Sequence, residues 1–187
     1  MADHQHRANR FRRPVFGPAR LLIFFVGFIA LWNWWLSNKH AAPEVLREGV
    51  HRVRYVVDGD TLVLESGARV RLQGVDTPEV AHHGRPAEPL GGEASRFAES
   101  FVQRSDRRVR LSFSVERRDH YGRFLAFVWH GDAMLNEELV RNGLARARPD
   151  YRFSGRMRKR LLAAQEAAVE AEVGLWSPAL RGNNNGS

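Results

Sequence analysis

Asp58-Gly59-Asp60-Thr61-Leu62-Val63-Leu64 runs up to a turn at Ser66-Gly67, and Arg69-Val70-Arg71-Leu72 runs back toward Val75-Asp76-Thr77-Pro78-Glu79. Thr61–Leu64 and Arg69–Val75 read as strands, and the Ser-Gly pair between them reads as the turn of a hairpin. A hairpin brings its two ends together. Asp60 and Asp76, 16 positions apart, then become neighbours; the same stretch of sequence carries Arg71 between the two acidic clusters and ends on Glu79. Two adjacent carboxylates repel each other unless a cation lies between them. Hard oxygen donors of this type favour Ca²⁺ or Mg²⁺. On the hairpin alone a solvated surface turn explains the same residues equally well, because Asp-Gly-Asp is ordinary turn chemistry.

Outward from this hairpin the pattern stays globular. Val53–Val57 reads as a strand before it. Val80–Gly92 is a loop rich in Gly, Pro and His. Glu93–Gln103 is a helix with Ala94, Phe97, Ala98 and Phe101 on one face. Arg108–Val115 alternates, with Val109, Leu111, Phe113 and Val115 on one side, and Phe124–Trp129 is a further strand. Asn136–Asn142 is a short helix stopped by Gly143. Ser154 to about Val173 is a longer helix stopped by Gly174. Five strands and three helices without an internal repeat point to an α+β domain built on a small five-stranded Greek-key barrel of OB type. The last helix carries Arg156, Arg158, Lys159 and Arg160 in its first turns and Glu166, Glu170 and Glu172 later. The helix dipole prefers the reverse by a few tenths of a kcal/mol per charge. Either this basic end faces a polyanion, or exposed charges are cheap to misplace.

The 187 residues leave room for one ordinary domain plus an appendage. With 29 Lys+Arg against 21 Asp+Glu the chain is basic, as suits a polyanionic partner such as nucleic acid or anionic lipid. The excess is uneven. Residues 1–20 carry five arginines against Asp3, whereas residues 51–178 hold 21 basic and 18 acidic groups. The absence of cysteine excludes disulfides, thiolate metal sites and a Cys nucleophile. Nothing in the sequence points to a protein partner.

Residues 1–20 read as a basic cytoplasmic tail. Leu21–Leu36 follows, LLIFFVGFIALWNWWL, apolar on every face with three tryptophans at one end. Sixteen helical residues span about 24 Å, short of a hydrocarbon core of about 30 Å. A start at Val15 or Phe16 makes up the difference. Tryptophans suit the far interface, and the arginines ahead of the segment keep the N-terminus inside. The expectation is a single transmembrane signal anchor at 21–36, a tether at 37–50, an exported domain at 51–178 and a disordered tail at 179–187. No small-x-small cleavage site follows the apolar run; release after cleavage is the alternative.

Asp58-Gly59-Asp60-Thr61, Val75-Asp76-Thr77-Pro78-Glu79 and Tyr121-Gly122-Arg123, in this order and spacing, resemble the staphylococcal nuclease (thermonuclease) family. The resemblance runs from about Val53 to Trp176-Ser177. It takes in Gly91–Ala94, Asn136-Glu137, Leu139–Ala145 and the closing Leu175-Trp176-Ser177. It implies an OB-like five-stranded barrel with three helices and a Ca²⁺-dependent phosphodiesterase. Such an enzyme cuts DNA and RNA with little sequence preference and leaves 3′-phosphate ends. Carried over by resemblance, Asp60 and Asp76 bind calcium with the Thr77 carbonyl. Glu79 stands beside the attacking water, and Arg71 and Arg123 grip phosphate. Tyr121 serves the 5′ phosphate side.

The residues are chemically suited to those roles. A cation held by Asp60 and Asp76 neutralises phosphate charge, Glu79 can orient water or take its proton, and planar guanidinium forks match phosphate oxygens. Asp58 reads as a turn residue. One departure stands out. Of the two tyrosines that family members often carry after the second helix, Pro149 falls at one place and Tyr151 at the other. Arg148 and Arg152 can compensate by charge. The loop retains Arg85, His82 and His83 as possible phosphate contacts. A non-catalytic OB-type nucleic-acid-binding module is the other class of function, and the complete acid and arginine set speaks against it.

Overall fold

A computed structural model describes residues 43–81 and 86–181. The expected N-terminal tail, the anchor segment, residues 37–42 of the tether, His82, His83, Arg85 and residues 182–187 lie outside the described residues. Among the described residues no helix is long and apolar enough to cross a membrane.

Five strands close into a barrel. They are β1 (Gly49–Val56), β2 (Thr61–Leu64), β3 (Arg69–Leu72), β5 (Arg108–Ser112) and β6 (Phe124–His130). Short pieces β4 (Val75–Asp76), β7 (Ala133–Met134) and β8 (Arg146–Ala147) attach to it. β1 pairs antiparallel with β2 and β5, β2 with β3, and β5 with β6. A parallel pairing of β3 with β6 completes the ring, setting Arg71 opposite Leu125. Closure leaves no long free edge among these five strands. Val53, Leu62, Leu64, Val70, Leu72, Val109 and Leu111 point into one core. In β3 and β5 the arginines between them are exposed or half-buried, a period-two pattern, whereas β2 is buried on both faces.

Three helices cover the barrel: α1 (Gly91–Arg104), α2 (Leu135–Arg141) and α3 (Gly155–Glu170). Ala94, Ala98 and Phe101 of α1 are buried, while Phe97 is half-buried against the core. Asn136 ties α2 to the barrel. It is fully buried, its Oδ1 accepts from the Val128 N–H, and its Nδ2 donates to the carbonyls of Gln73 and Ala126. Glu137 accepts from Arg141 and Arg160 and so links α2 to α3. A 3₁₀ turn (Gly174–Trp176) follows, with Leu175 N–H donating to Gly143 C=O at 2.8 Å. The ring of Trp176 lies 4.8 Å from the Arg146 guanidinium.

The structure departs from several expected boundaries. β1 begins at Gly49 rather than Val53, and Leu46 is buried in the core, so residues 46–50 belong to the packed domain rather than a tether. The strand expected over Arg69–Val75 breaks at a turn at Gln73-Gly74. β5 stops at Ser112, because Phe113 N–H donates to Glu48 Oε1 instead of the ladder. Val115, expected inside, is 83% exposed. Pro178–Arg181 is a short helix, α4, where the tail was expected to start.

Candidate active site

The hairpin does bring its ends together, and Arg71 occupies the junction. Its Nη1 donates to Asp60 Oδ1 and its Nη2 to Asp76 Oδ1, the latter at 2.6 Å. Asp60 is 1% exposed. Its Oδ2 accepts from the Thr77 N–H at 3.0 Å and the Thr77 hydroxyl at 3.1 Å, and its Oδ1 accepts from the Thr61 hydroxyl. Burial pushes the Asp60 carboxyl up to about 7, against the pull of Arg71 and the Thr77 N–H; nearby Asp58 adds to the push. Burial also works against the Arg71 charge, but Asp60 and Asp76 outweigh it and hold its pKa above the ordinary arginine value.

Two glycines let the backbone close around these acids. A Cβ on Gly59 would lie 2.7 Å from Ala94 Cβ and 2.8 Å from Thr77 Cγ2. A Cβ on Gly91 would lie 2.3 Å from the Glu79 carbonyl oxygen. Only a residue without a side chain allows the start of α1 to pack directly on the Asp-Gly-Asp turn and on Glu79. Asp58 has the turn role read from the sequence: its Oδ1 accepts from the Asp60 N–H at 3.0 Å.

The side chain of Asp76 is 42% exposed, and its second oxygen accepts from Arg148 Nη1 at 3.3 Å. Arg148 also forks onto Asp150. β4 and β8 pair Asp76 with Arg146, which aligns this segment beside the acids. A cavity of about 350 Å³ opens there, lined by Asp76, Thr77, Pro78, Glu88, Arg146 and Leu175 among others. Two carboxylates converge on one positive group, and of the two Asp76 borders the cavity while Asp60 stays buried behind it; hard oxygen donors of this kind suit a divalent cation. Among the described residues no cluster of three or more acidic, His or Cys side chains is present. A cation here would therefore complete its shell with carbonyl and water oxygens, as Ca²⁺ commonly does.

Glu79 is exposed at the rim. Its N–H donates to Glu88 Oε2 at 3.1 Å and its carbonyl accepts from Glu88 N–H at 2.9 Å. Arg123 sits two residues before Leu125, the register partner of Arg71. Asp119 orients it: Oδ2 accepts from Arg123 Nε at 2.7 Å, and Oδ1 accepts from the N–H groups of Tyr121 and Arg123. Tyr121 is 73% exposed, with its ring 5.3 Å from the Arg123 guanidinium. Tyr151 is half-buried, 5.7 Å from the Arg148 guanidinium, and its phenol contributes to the field on Arg71. Sequence reasoning missed Asp119 and Glu88. For Asp119 a signal was present, an acid two residues before Tyr121 at a Gly turn, the usual setting for side-chain to backbone bonds.

Contacts join Asp60, Asp76, Thr77, Arg71 and Arg148 into one group, and Asp119, Tyr121 and Arg123 into a second, which the pairing of β3 with β6 connects to Arg71 through the backbone. A sequence profile for the family described as "Staphylococcal nuclease homologue" matches residues 69–178. The chain is similar to "Thermonuclease" of Staphylococcus intermedius, 40% identical over 163 residues, covering 83% of this chain and 95% of that protein. It is similar to "Thermonuclease" of Staphylococcus hyicus, 37% identical over 145 residues, covering 74% and 82%. It also resembles "Probable endonuclease lcl3" of Botryotinia fuckeliana (strain B05.10), 35% identical over 115 residues, covering 58% of this chain and 42% of that protein.

Proposed function

Because the chain belongs to the staphylococcal nuclease homologue family, we propose that it is a nuclease that hydrolyses phosphodiester bonds of DNA and/or RNA. One observation carries the reading beyond family membership. Asp60 and Asp76 converge on a single positive group, and Glu79, Arg71 and Arg123 are present and placed by their own hydrogen-bonded supports. A module that only bound nucleic acid would not require this acid and arginine set to be complete.

Asp60, Asp76 and the Thr77 carbonyl would hold Ca²⁺. Bound there, the ion would supply charge neutralisation at a phosphate oxygen and a lowered pKa for water. Glu79, exposed beside these groups, orients the attacking water or takes its proton. The Glu88 carboxylate fixes the backbone from which Glu79 projects. Arg71 and Arg123 present planar donors to the phosphate, and those bonds strengthen as charge builds in the transition state. Asp119 holds Arg123 in that pose. Tyr121 and Tyr151 give faces on which a base or sugar can rest, with Arg148 adding charge. Cleavage of the 5′ P–O bond leaves a 3′-phosphate.

The domain is exported and anchored by Leu21–Leu36, with the N-terminus in the cytoplasm. This reading rests on the apolar run and the arginines ahead of it. It suits a Ca²⁺-dependent, nonspecific nuclease, which finds its ion outside the cytosol and endangers a genome within it. Two measurements test the proposal. Single-stranded DNA is cut with Ca²⁺, cutting stops with excess chelator, and the products carry 3′-phosphates; cleavage unchanged by chelator overturns the metal assignment. The full chain sediments with membranes and needs detergent for release; recovery in the soluble fraction overturns the anchor.

A further inference from the structure

A second cavity of about 350 Å³ lies on the far side of the segment that carries Tyr151, lined by Ser114, Val115, Arg152, Phe153, Ser154 and Arg158. No acidic side chain lines it. Arg152 makes no side-chain ion pair among the described residues. Arg158 lies 5.7 Å from the Phe153 ring, and its Nη2 donates to the Tyr151 carbonyl at 3.4 Å. Two cations share one hollow with hydroxyl donors on Ser114 and Ser154 and an apolar lip, Val115, that is 83% exposed.

This hollow is fastened to the candidate active site. Gln73, which precedes β4 and Asp76, donates from Nε2 to the Arg152 carbonyl at 3.3 Å. Arg148 N–H donates to the Gly74 carbonyl at 2.8 Å. The Tyr151 ring lies 5.7 Å from the guanidinium of Arg148, which reaches Asp76, and Phe153 is two residues on, a reach of about 7 Å of extended chain. The basic character continues past the hollow: the Trp129 ring lies 4.9 Å from the Arg110 guanidinium and 5.1 Å from that of Arg160. Phe153 and Trp129 are themselves buried, so what this surface offers a strand is charge, guanidinium groups for its phosphates. Arg158, in the first turn of α3, brings part of that helix's basic end to the hollow.

We propose that this cavity is a second substrate subsite, which takes a backbone phosphate and sugar of the nucleic-acid strand a few nucleotides from the scissile bond, with Arg152 and Arg158 as its phosphate contacts. The assignment rests on the nuclease reading above and adds to it a preference for longer strands over minimal substrates.

The test compares a single-stranded DNA of about 20 nucleotides with a dinucleotide, using full-length wild type, R152A/R158A and R158K. The expected result is a fall of roughly tenfold in the ratio of kcat/KM for the long strand to that for the dinucleotide in R152A/R158A. R158K, which keeps the charge, retains most of the ratio. The salt dependence of long-strand binding becomes shallower by about 1.4 in log–log slope, about 0.7 for each lost phosphate contact. An unchanged ratio overturns the subsite. Equal losses on both substrates also overturn it, because the arginines would then act on the reaction centre through Tyr151. Should the wild type cut neither substrate, the nuclease reading fails instead. Anisotropy binding of the long strand in chelator then still decides the subsite by the same slope, with an unchanged slope refuting it.

Discussion

Replacing Asp60 with Asn separates what this carboxylate costs the fold from what it does for the reaction. Asp60 is buried, and its carboxyl is pushed up to about 7 from an ordinary value of 3.8. Between those two values the unfolded chain has released a proton that the folded, metal-free domain still holds. Stability therefore falls as pH rises through this window, by about 1.4 kcal/mol per pH unit for one proton. Below about pH 4 both states are protonated and the cost vanishes; above about pH 7 it is complete, at about 4 kcal/mol. The D60N amide has no such proton to lose, keeps an acceptor for the Thr77 donors, and gives up its charge-assisted bond with Arg71. Urea unfolding of wild type and D60N in chelator, from about pH 4.5 to 7.5, reads the difference directly, since every other titrating group is common to both. The expected outcome is a stability difference that moves in favour of D60N as pH rises, while Ca²⁺ stabilises the wild type alone and nuclease turnover of D60N is lost. Stability curves that stay parallel across the whole range refute the reasoning; they would mean that Arg71 and the threonine donors outweigh burial.

Further outcomes follow from the same contacts. Arg123→Ala removes one preplaced phosphate donor and lowers kcat by about 10²–10³, or 3–4 kcal/mol in the barrier. Asp119→Ala leaves that charge but frees its orientation, and steady-state kinetics show a smaller loss, about tenfold. Asn136→Ala strands the buried Val128 N–H and the Gln73 carbonyl, while the Ala126 carbonyl keeps the Gln73 N–H, at about 2–4 kcal/mol in urea unfolding with little direct effect on substrate affinity. Gly59→Ala drives a methyl against Ala94 and Thr77, costs about 1–3 kcal/mol, and lowers activity together with stability because Thr77 holds Asp60.

The barrel was legible because β5 alternates, Val109 and Leu111 declaring an inner face between arginines, and because Thr61–Leu64 and Phe124–Trp129 are short apolar runs of strand-forming residues bounded by turns. Gly49–Arg52 was not legible, since Gly-Val-His-Arg has almost no inward residue and joins the sheet only by pairing with β5. Val115 continued the alternation of β5 in sequence, but a side chain 65 positions away, Glu48, captures the Phe113 N–H and ends the ladder. The meeting of Asp60 and Asp76 followed from the hairpin. That Arg71 would sit on both acids at once did not, because sequence spacing places a strand residue on a face without assigning its partner. Asp119 and Glu88 were passed over for a related reason. Their value lies in bonds to the backbone of Arg123 and Glu79, and in sequence they are ordinary turn and loop acids.

The most direct test of the central claim is turnover of single-stranded DNA by the full-length protein with Ca²⁺, set beside Glu79→Ala and Arg123→Ala variants whose folding is verified by circular dichroism. Cutting by the wild type and collapse by at least about 10² in both variants is the predicted result. A folded wild type that binds Ca²⁺ and DNA yet leaves the strand intact would contradict it and make the domain a binding module.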